Sequence, residues 1–121
     1  MSTWIEDTIA SEAYKLGDIN YVFCDDDYLH KLNVEFLNHD TLTDIISFDY
    51  TVGKIIQGDI FVSVDRVKDN AKDFETSFGD ELKRVIIHGV LHYCGYKDKT
   101  DEDAKLMREK ENHYLSKLNS N

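Results

Sequence analysis

The sequence predicts an α+β (mixed α/β) domain in which a small mixed sheet of three to four strands packs with about five helices. Two apolar runs joined by a tight glycine turn read as a hairpin, and Ser or Thr caps open two amphipathic segments near the C-terminus. Between these, stretches of helical and of alternating periodicity succeed one another. With 121 residues and no proline, repeat or low-complexity tract, a single domain over residues 1–121 is expected.

Taken in order, residues 3–16 put Ile5, Ile9, Ala13 and Leu16 on one helical stripe, with Gly17 as the expected stop. Ile19, Tyr21 and Phe23 then alternate against Asn20, Val22 and Cys24, which predicts a short strand. Asp25, Asp26 and Asp27 supply a helix start, and Leu29, Leu32, Phe36 and Leu37 give that helix an apolar face. Residues 44–51 and 55–64 read as a strand pair around Val52-Gly53-Lys54, and residues 65–75 as a polar surface helix. Ser77 with Asp80, and Thr100 with Asp103, resemble capping boxes for the last two helices. The first is apolar from Val85 to Leu91 except at His88 and Gly89, and is expected to be largely buried. The second carries a stripe of Ala104, Met107, Tyr114, Leu115 and Leu118.

The chain carries 14 Lys and Arg against 24 Asp and Glu, a formal net charge of −10. Nucleic-acid binders draw most of their non-specific affinity from a basic face, so an acidic chain acting on RNA should bind free RNA weakly or be guided by a partner. The N-terminal residues lack a basic and then apolar signal pattern, and no apolar run approaches the ~20 residues of a membrane span. Cys24 and Cys94 alone do not make a disulfide scaffold. A cytoplasmic protein with two reduced thiols, and no membrane partner, is expected.

Chemistry concentrates in the run from His88 to Asp98. Histidines at i and i+4 lie about 40° apart around a helix and roughly 6 Å apart along it, so His88 and His92 can converge on one ion, with zinc the usual choice. Rings inside a run of Val, Ile and Leu also need a partner, which a shared metal supplies. Gly95 can end the helix in a left-handed conformation and return the chain toward the pair. Asp98 is then the candidate third ligand for one Zn2+ per chain. Cys94 lies about 240° around the helix from His88. Asp101 and Asp103 suit the next helix start, and His113 would reach back only through a particular packing. Zinc peptidases keep a glutamate after the first histidine, where this chain has Gly89, so peptide hydrolysis is the least favoured chemistry.

The run His-Gly-x-Leu-His-x-x-Gly-Tyr resembles the signature of the YbeY family. Leu32-Asn33, Phe36, Thr43-Asp44-Ile45-Ile46-Ser47-Phe48 and Gly58-Asp59-Ile60 are similar to the same family's Leu-Asn, aromatic, Thr-Asp-x-x-Ser-Phe and Gly-Asp pattern. The likeness runs from about residue 28 to residue 118. It implies a zinc-dependent, single-strand-specific endoribonuclease of rRNA maturation and ribosome quality control, with ribosomal RNA and ribosomal proteins or the small ribosomal subunit as partners. It also implies that Thr43, Asp44 and Ser47 line a cleft beside the metal, although the same strand entry could be purely structural. No general base is identified.

The departures from the family's pattern carry information. The family's third ligand is a histidine in Gly-Tyr-Asp-His, whereas Lys97 and Asp98 stand at the last two positions here. The carry-over therefore also falls on Asp98, which makes the site less positive than three imidazoles would. Leu37 replaces an arginine usual in the family, and relatives commonly place a further strand before the first helix, so the sheet is expected to be one strand short. The acidic charge, Leu37 and the altered ligand favour the alternative of a ribosome-assembly factor with a structural zinc and little nuclease activity. A metal-dependent hydrolase of another substrate is the third reading.

Overall fold

The computed structural model describes residues 2–37 and 43–119; the side chains of residues 2, 37, 118 and 119 lie outside the described set, so the expectations placed on Leu37 and Leu118 fall there too. Its elements run α1 (Ser2–Ser11), β1 (Lys15–Cys24), α2 (Asp26–Leu37), β2 (Ile45–Asp49), β3 (Ile55–Ser63), α3 (Val64–Asp73), α4 (Phe78–Tyr93) and α5 (Asp101–Asn119). Among the described residues, five helices and a three-stranded mixed sheet make the expected α+β architecture.

The sheet order is β1-β3-β2. β1 runs parallel to β3, and β2 pairs antiparallel with β3 through the expected hairpin, whose turn places Gly53 at φ 59°. Because side chains alternate along a strand, the two faces of β3 do different work. Ile56, Ile60 and Val62 point into the main core, each essentially inaccessible. Phe61 points the other way and meets Phe48 edge-on at 5.7 Å, and Phe48 meets Phe36 of α2 in the same manner at 5.9 Å.

Helix α4 lies on the core face. Its apolar run buries Val85, Ile86, Ile87, Val90 and Leu91 against the sheet and α1, as the sequence leads one to expect. The Ser77 hydroxyl accepts the Asp80 N–H at 3.1 Å to start it, and Thr100 does the same for Asp103 of α5 at 3.0 Å. Met107 and Tyr114 bring α5 into this core, and the indole N–H of Trp4 in α1 donates to the Tyr114 carbonyl at 2.8 Å. Among the described residues no helix is long and apolar enough to cross a membrane.

The first helix departs from expectation. It ends at Ser11 instead of residue 16, and Ala13 adopts φ 67° in the turn that follows. Lys15 and Leu16 begin β1, paired with Ile55 and Ile56. Gly17 is not a helix stop but a strand residue packed so tightly on β3 that a Cβ would lie 2.8 Å from the Ile56 carbonyl oxygen. Strand pairing to a distant segment overrides the local helical stripe here, and it leaves Leu16 exposed. Phe23, which shares its side of the strand with Ile19 and Tyr21, is 53% exposed at the far end of the same edge strand. Helix α3, expected to be a polar surface element, buries Val67 and Ala71.

Candidate metal centre

Helix α4 projects His88 and His92 from the face that borders β2, and its end is built to return the chain. Cys94 caps it, Gly95 takes φ 98°, and the Tyr96 and Gly95 N–H groups close back on the carbonyls of Leu91 and His92. This double closure is the usual glycine-dependent helix ending, and it reverses the chain within three residues. Asp98 thereby lies beside the two imidazoles.

His88 Nε2 is 2.9 Å from His92 Nε2 and 3.2 Å from Asp98 Oδ2, and His92 Nε2 is 3.5 Å from the same oxygen. The other nitrogen of each ring is committed. His92 Nδ1 sits 2.9 Å from the Tyr96 carbonyl oxygen, which can only accept, so Nδ1 carries the proton. His88 Nδ1 is 2.8 Å from Glu111 Oε2 and donates to it. With those nitrogens committed, the two Nε2 atoms face each other, and two Nε2 lone pairs at that distance repel unless a proton or a cation stands between them. Donors around a tetrahedral zinc ion at about 2.0–2.1 Å are separated by about 3.3 Å, and these three atoms match that spacing. Among the described residues, His88, His92 and Asp98 form the one three-membered cluster of potential ligands.

Electrostatics fit the same picture. Burial works against a charged His88 ring, but the Glu111 hydrogen bond and charge, with Asp98 and Asp44, outweigh it and raise the imidazole above its ordinary value. Burial likewise works against Glu111 ionising, and His88 and Arg84 more than compensate, holding its carboxyl below the usual range. The histidine-bearing helix is buried as expected, yet the rings themselves are only partly covered, with side-chain exposures of 24% and 31%. They open on a cleft of about 520 Å³ that Thr43, Asp44, Ser47 and Lys99 also border. Asp44 accepts from Asn70 Nδ2 at 3.3 Å, and burial pushes its carboxyl up. The Thr43 hydroxyl is turned to the Ile45 carbonyl at 3.2 Å.

The remaining candidates lie elsewhere. Cys94 is buried in the core, and desolvation raises its thiol to about 12. Asp101, exposed, and Asp103, half-buried, occupy the first turn of α5, and His113 stacks edge-on against Tyr114. Gly89 faces β2 so closely that a Cβ would stand 2.8 Å from Ile45 Cδ1 and 3.2 Å from Ser47 Oγ. Two residues absent from the expected site belong to its surroundings: Glu111, and Arg84, whose Nη1 donates to Glu111 Oε1 at 3.0 Å. A signal for Glu111 does exist in the sequence. It falls between Met107 and Tyr114 on the inward stripe of α5, where an acid is out of place unless paired.

The family profile described as "Endoribonuclease YbeY" matches residues 1–119. Proteins of that same description include one from Flavobacterium johnsoniae, 69% identical over 93% of this chain and 81% of its own length. One from Christiangramia forsetii is 58% identical over 93% of this chain and 79% of its own length. A Thermotoga maritima protein solved in solution superposes with a TM-score of 0.66 at 32% identity, covering 94% of this chain and 75% of that one. Fold, ordered motifs and these likenesses agree, and the chain belongs to the YbeY endoribonuclease family.

Proposed function

We propose that this chain is a zinc-dependent endoribonuclease that cleaves single-stranded RNA in rRNA maturation, with His88, His92 and Asp98 holding one ion. The observation that carries the reading is the convergence of His88 Nε2, His92 Nε2 and Asp98 Oδ2 at 2.9–3.5 Å on the wall of an open cleft. Three protein donors leave a coordination position toward the cleft, which suits a catalytic ion better than a structural one. When bound there, zinc supplies Lewis-acid polarisation of a phosphodiester oxygen.

The chain's own groups do the rest. Glu111 and the Tyr96 carbonyl hold the imidazoles in the tautomer that frees Nε2. Lys99, on the cleft wall, meets the phosphate backbone, and Thr43, Asp44 and Ser47 line the same cleft. Family membership supports RNA as the substrate. The net charge of −10 favours delivery of that RNA within a ribosomal particle, through basic ribosomal proteins in the cytoplasm, over capture of free RNA. The same charge keeps in play a ribosome-assembly factor whose zinc is structural.

The test is cleavage of a single-stranded RNA by zinc-loaded protein, beside chelator-stripped protein and an Asp98→Ala variant prepared identically. Cleavage by the loaded parent alone is expected. Equal cleavage by all three would mean a contaminating nuclease, and none by any, with zinc still bound to the parent, would move the reading to the assembly factor.

A further inference from the structure

Helix α5 contributes no ligand to the cluster, yet it places one buried carboxylate against it. Glu111 is 5% exposed, and each of its oxygens has a separate task. Oε2 accepts the His88 Nδ1 proton at 2.8 Å. Oε1 accepts from Arg84 Nη1 at 3.0 Å, with Arg108 Nη1 a further 3.7 Å ion-pair partner. Arg84 is itself held on its other side, where Nη2 donates to Asn112 Oδ1 at 3.0 Å. The guanidinium and the imidazole N–H between them satisfy both oxygens of this deeply buried carboxylate.

The two histidines are therefore not equivalent. A neutral backbone carbonyl orients His92, and an anion locked by arginine orients His88. Hydrogen bonding to a carboxylate fixes the ring tautomer, limits rotation about the side-chain bonds and makes the opposite nitrogen a better electron donor. We infer that Glu111 is the positioning residue of the metal centre, acting through His88 Nδ1, and that Arg84 holds its carboxylate in place. The inference rests on the metal-binding reading of His88, His92 and Asp98. It makes α5 responsible for metal affinity without a ligand of its own.

The experiment measures zinc affinity by competition with a chromogenic chelator for the parent, Glu111→Gln and Glu111→Ala. Melting of each chelator-stripped protein and the visible spectrum of each cobalt-substituted protein are recorded alongside. Glutamine keeps an acceptor for the Nδ1 proton and loses the charge, so a loss of about tenfold is expected, rising to about a hundredfold for alanine. The cobalt bands should shift in both variants. A purely structural Arg84–Glu111 bridge would lower the melting temperature of the stripped variants and leave zinc affinity and cobalt bands unchanged, which would overturn the inference.

Failure of the parent to take up zinc would be a different result, removing the ligand assignment and the inference with it. Should both variants fail to fold, imidazole nitrogen NMR of the zinc-loaded parent decides. The expected signature is coordination through His88 Nε2 with a slowly exchanging Nδ1 proton. Coordination through Nδ1, or an Nδ1 proton in free exchange with water, would refute a role for Glu111.

Discussion

The same substitution, glycine to alanine, should have opposite effects at two positions. At Gly58 in β3 a Cβ would fall 2.5 Å from the Tyr93 hydroxyl oxygen, and closer still to the carbonyl oxygen of Phe48. Backbone on one side and a buried ring on the other leave no flexible tip to move aside. Tyr93 is 4% exposed, and its hydroxyl lies 3.1 Å from the Phe48 carbonyl oxygen and 3.0 Å from that of Asp59, so it seats α4 on the sheet one residue from His92. Overpacking costs about 1–3 kcal/mol, and a displaced hydroxyl adds about 1 kcal/mol, so Gly58→Ala should destabilise by about 3 kcal/mol. At about 2.1 cal/mol/K of unfolding entropy per residue, this corresponds to a melting temperature lower by about 12 °C. At Gly79, in the first turn of α4, a Cβ meets nothing within 4 Å, and alanine should stabilise by about 0.5 kcal/mol through the smaller entropy of its unfolded chain. Thermal melting of both variants without metal is the assay. A Gly58→Ala protein melting within about 4 °C of the parent would refute the tight seating of Tyr93.

Three further outcomes are expected. In the metal-free protein the raised His88 value gives a contribution to the fold that is full below about pH 6.5 and is lost as pH climbs through the raised folded-state value, whereas the lowered Glu111 value gives one that is full above about pH 4.5 and is lost as pH falls through the lowered folded-state value. Zinc requires the neutral ring, so the melting difference between zinc-loaded and stripped protein should widen from about pH 5 to about pH 8, and a constant difference would contradict this. Tyr96→Phe removes the 2.5 Å donation to Glu12, an acceptor shared with Tyr114, and should cost about 1 kcal/mol in urea unfolding while loosening the segment that carries Asp98. An unchanged midpoint would mean the contact does not anchor that segment. Ser77→Ala removes the acceptor for the Asp80 N–H and should cost about 1 kcal/mol, read as a shift in urea midpoint at constant slope.

Local chemistry made the histidine helix legible in the sequence. Its cap, its apolar run, the i, i+4 pair and the glycine ending all fall within one short stretch, and each has a short-range cause. The hairpin is legible for the same reason, because a glycine turn lies between two alternating runs. The errors at Lys15, Leu16 and Gly17 arise from a partner about forty residues away on β3, which periodicity within the segment cannot register. Phe23 shows a related failure: alternation assigns its side of the strand, while cover depends on what packs over that end of the sheet. Glu111 belongs to the same class. Its place on an inward stripe could be read, but its contact with His88 follows from how α5 crosses α4.

The closeness of Gly89 to β2 also limits what this scaffold can become. Exchanging that glycine for glutamate would spell the His-Glu-x-x-His motif of zinc peptidases, a short step in sequence. In space it is a long one, because Ile45 and Ser47 already occupy the volume a side chain would need. Peptidase chemistry is thus fenced off by the spacing between helix and sheet, and a lineage crossing that fence would have to move the Ile45 and Ser47 side chains aside before the new carboxylate could be of use.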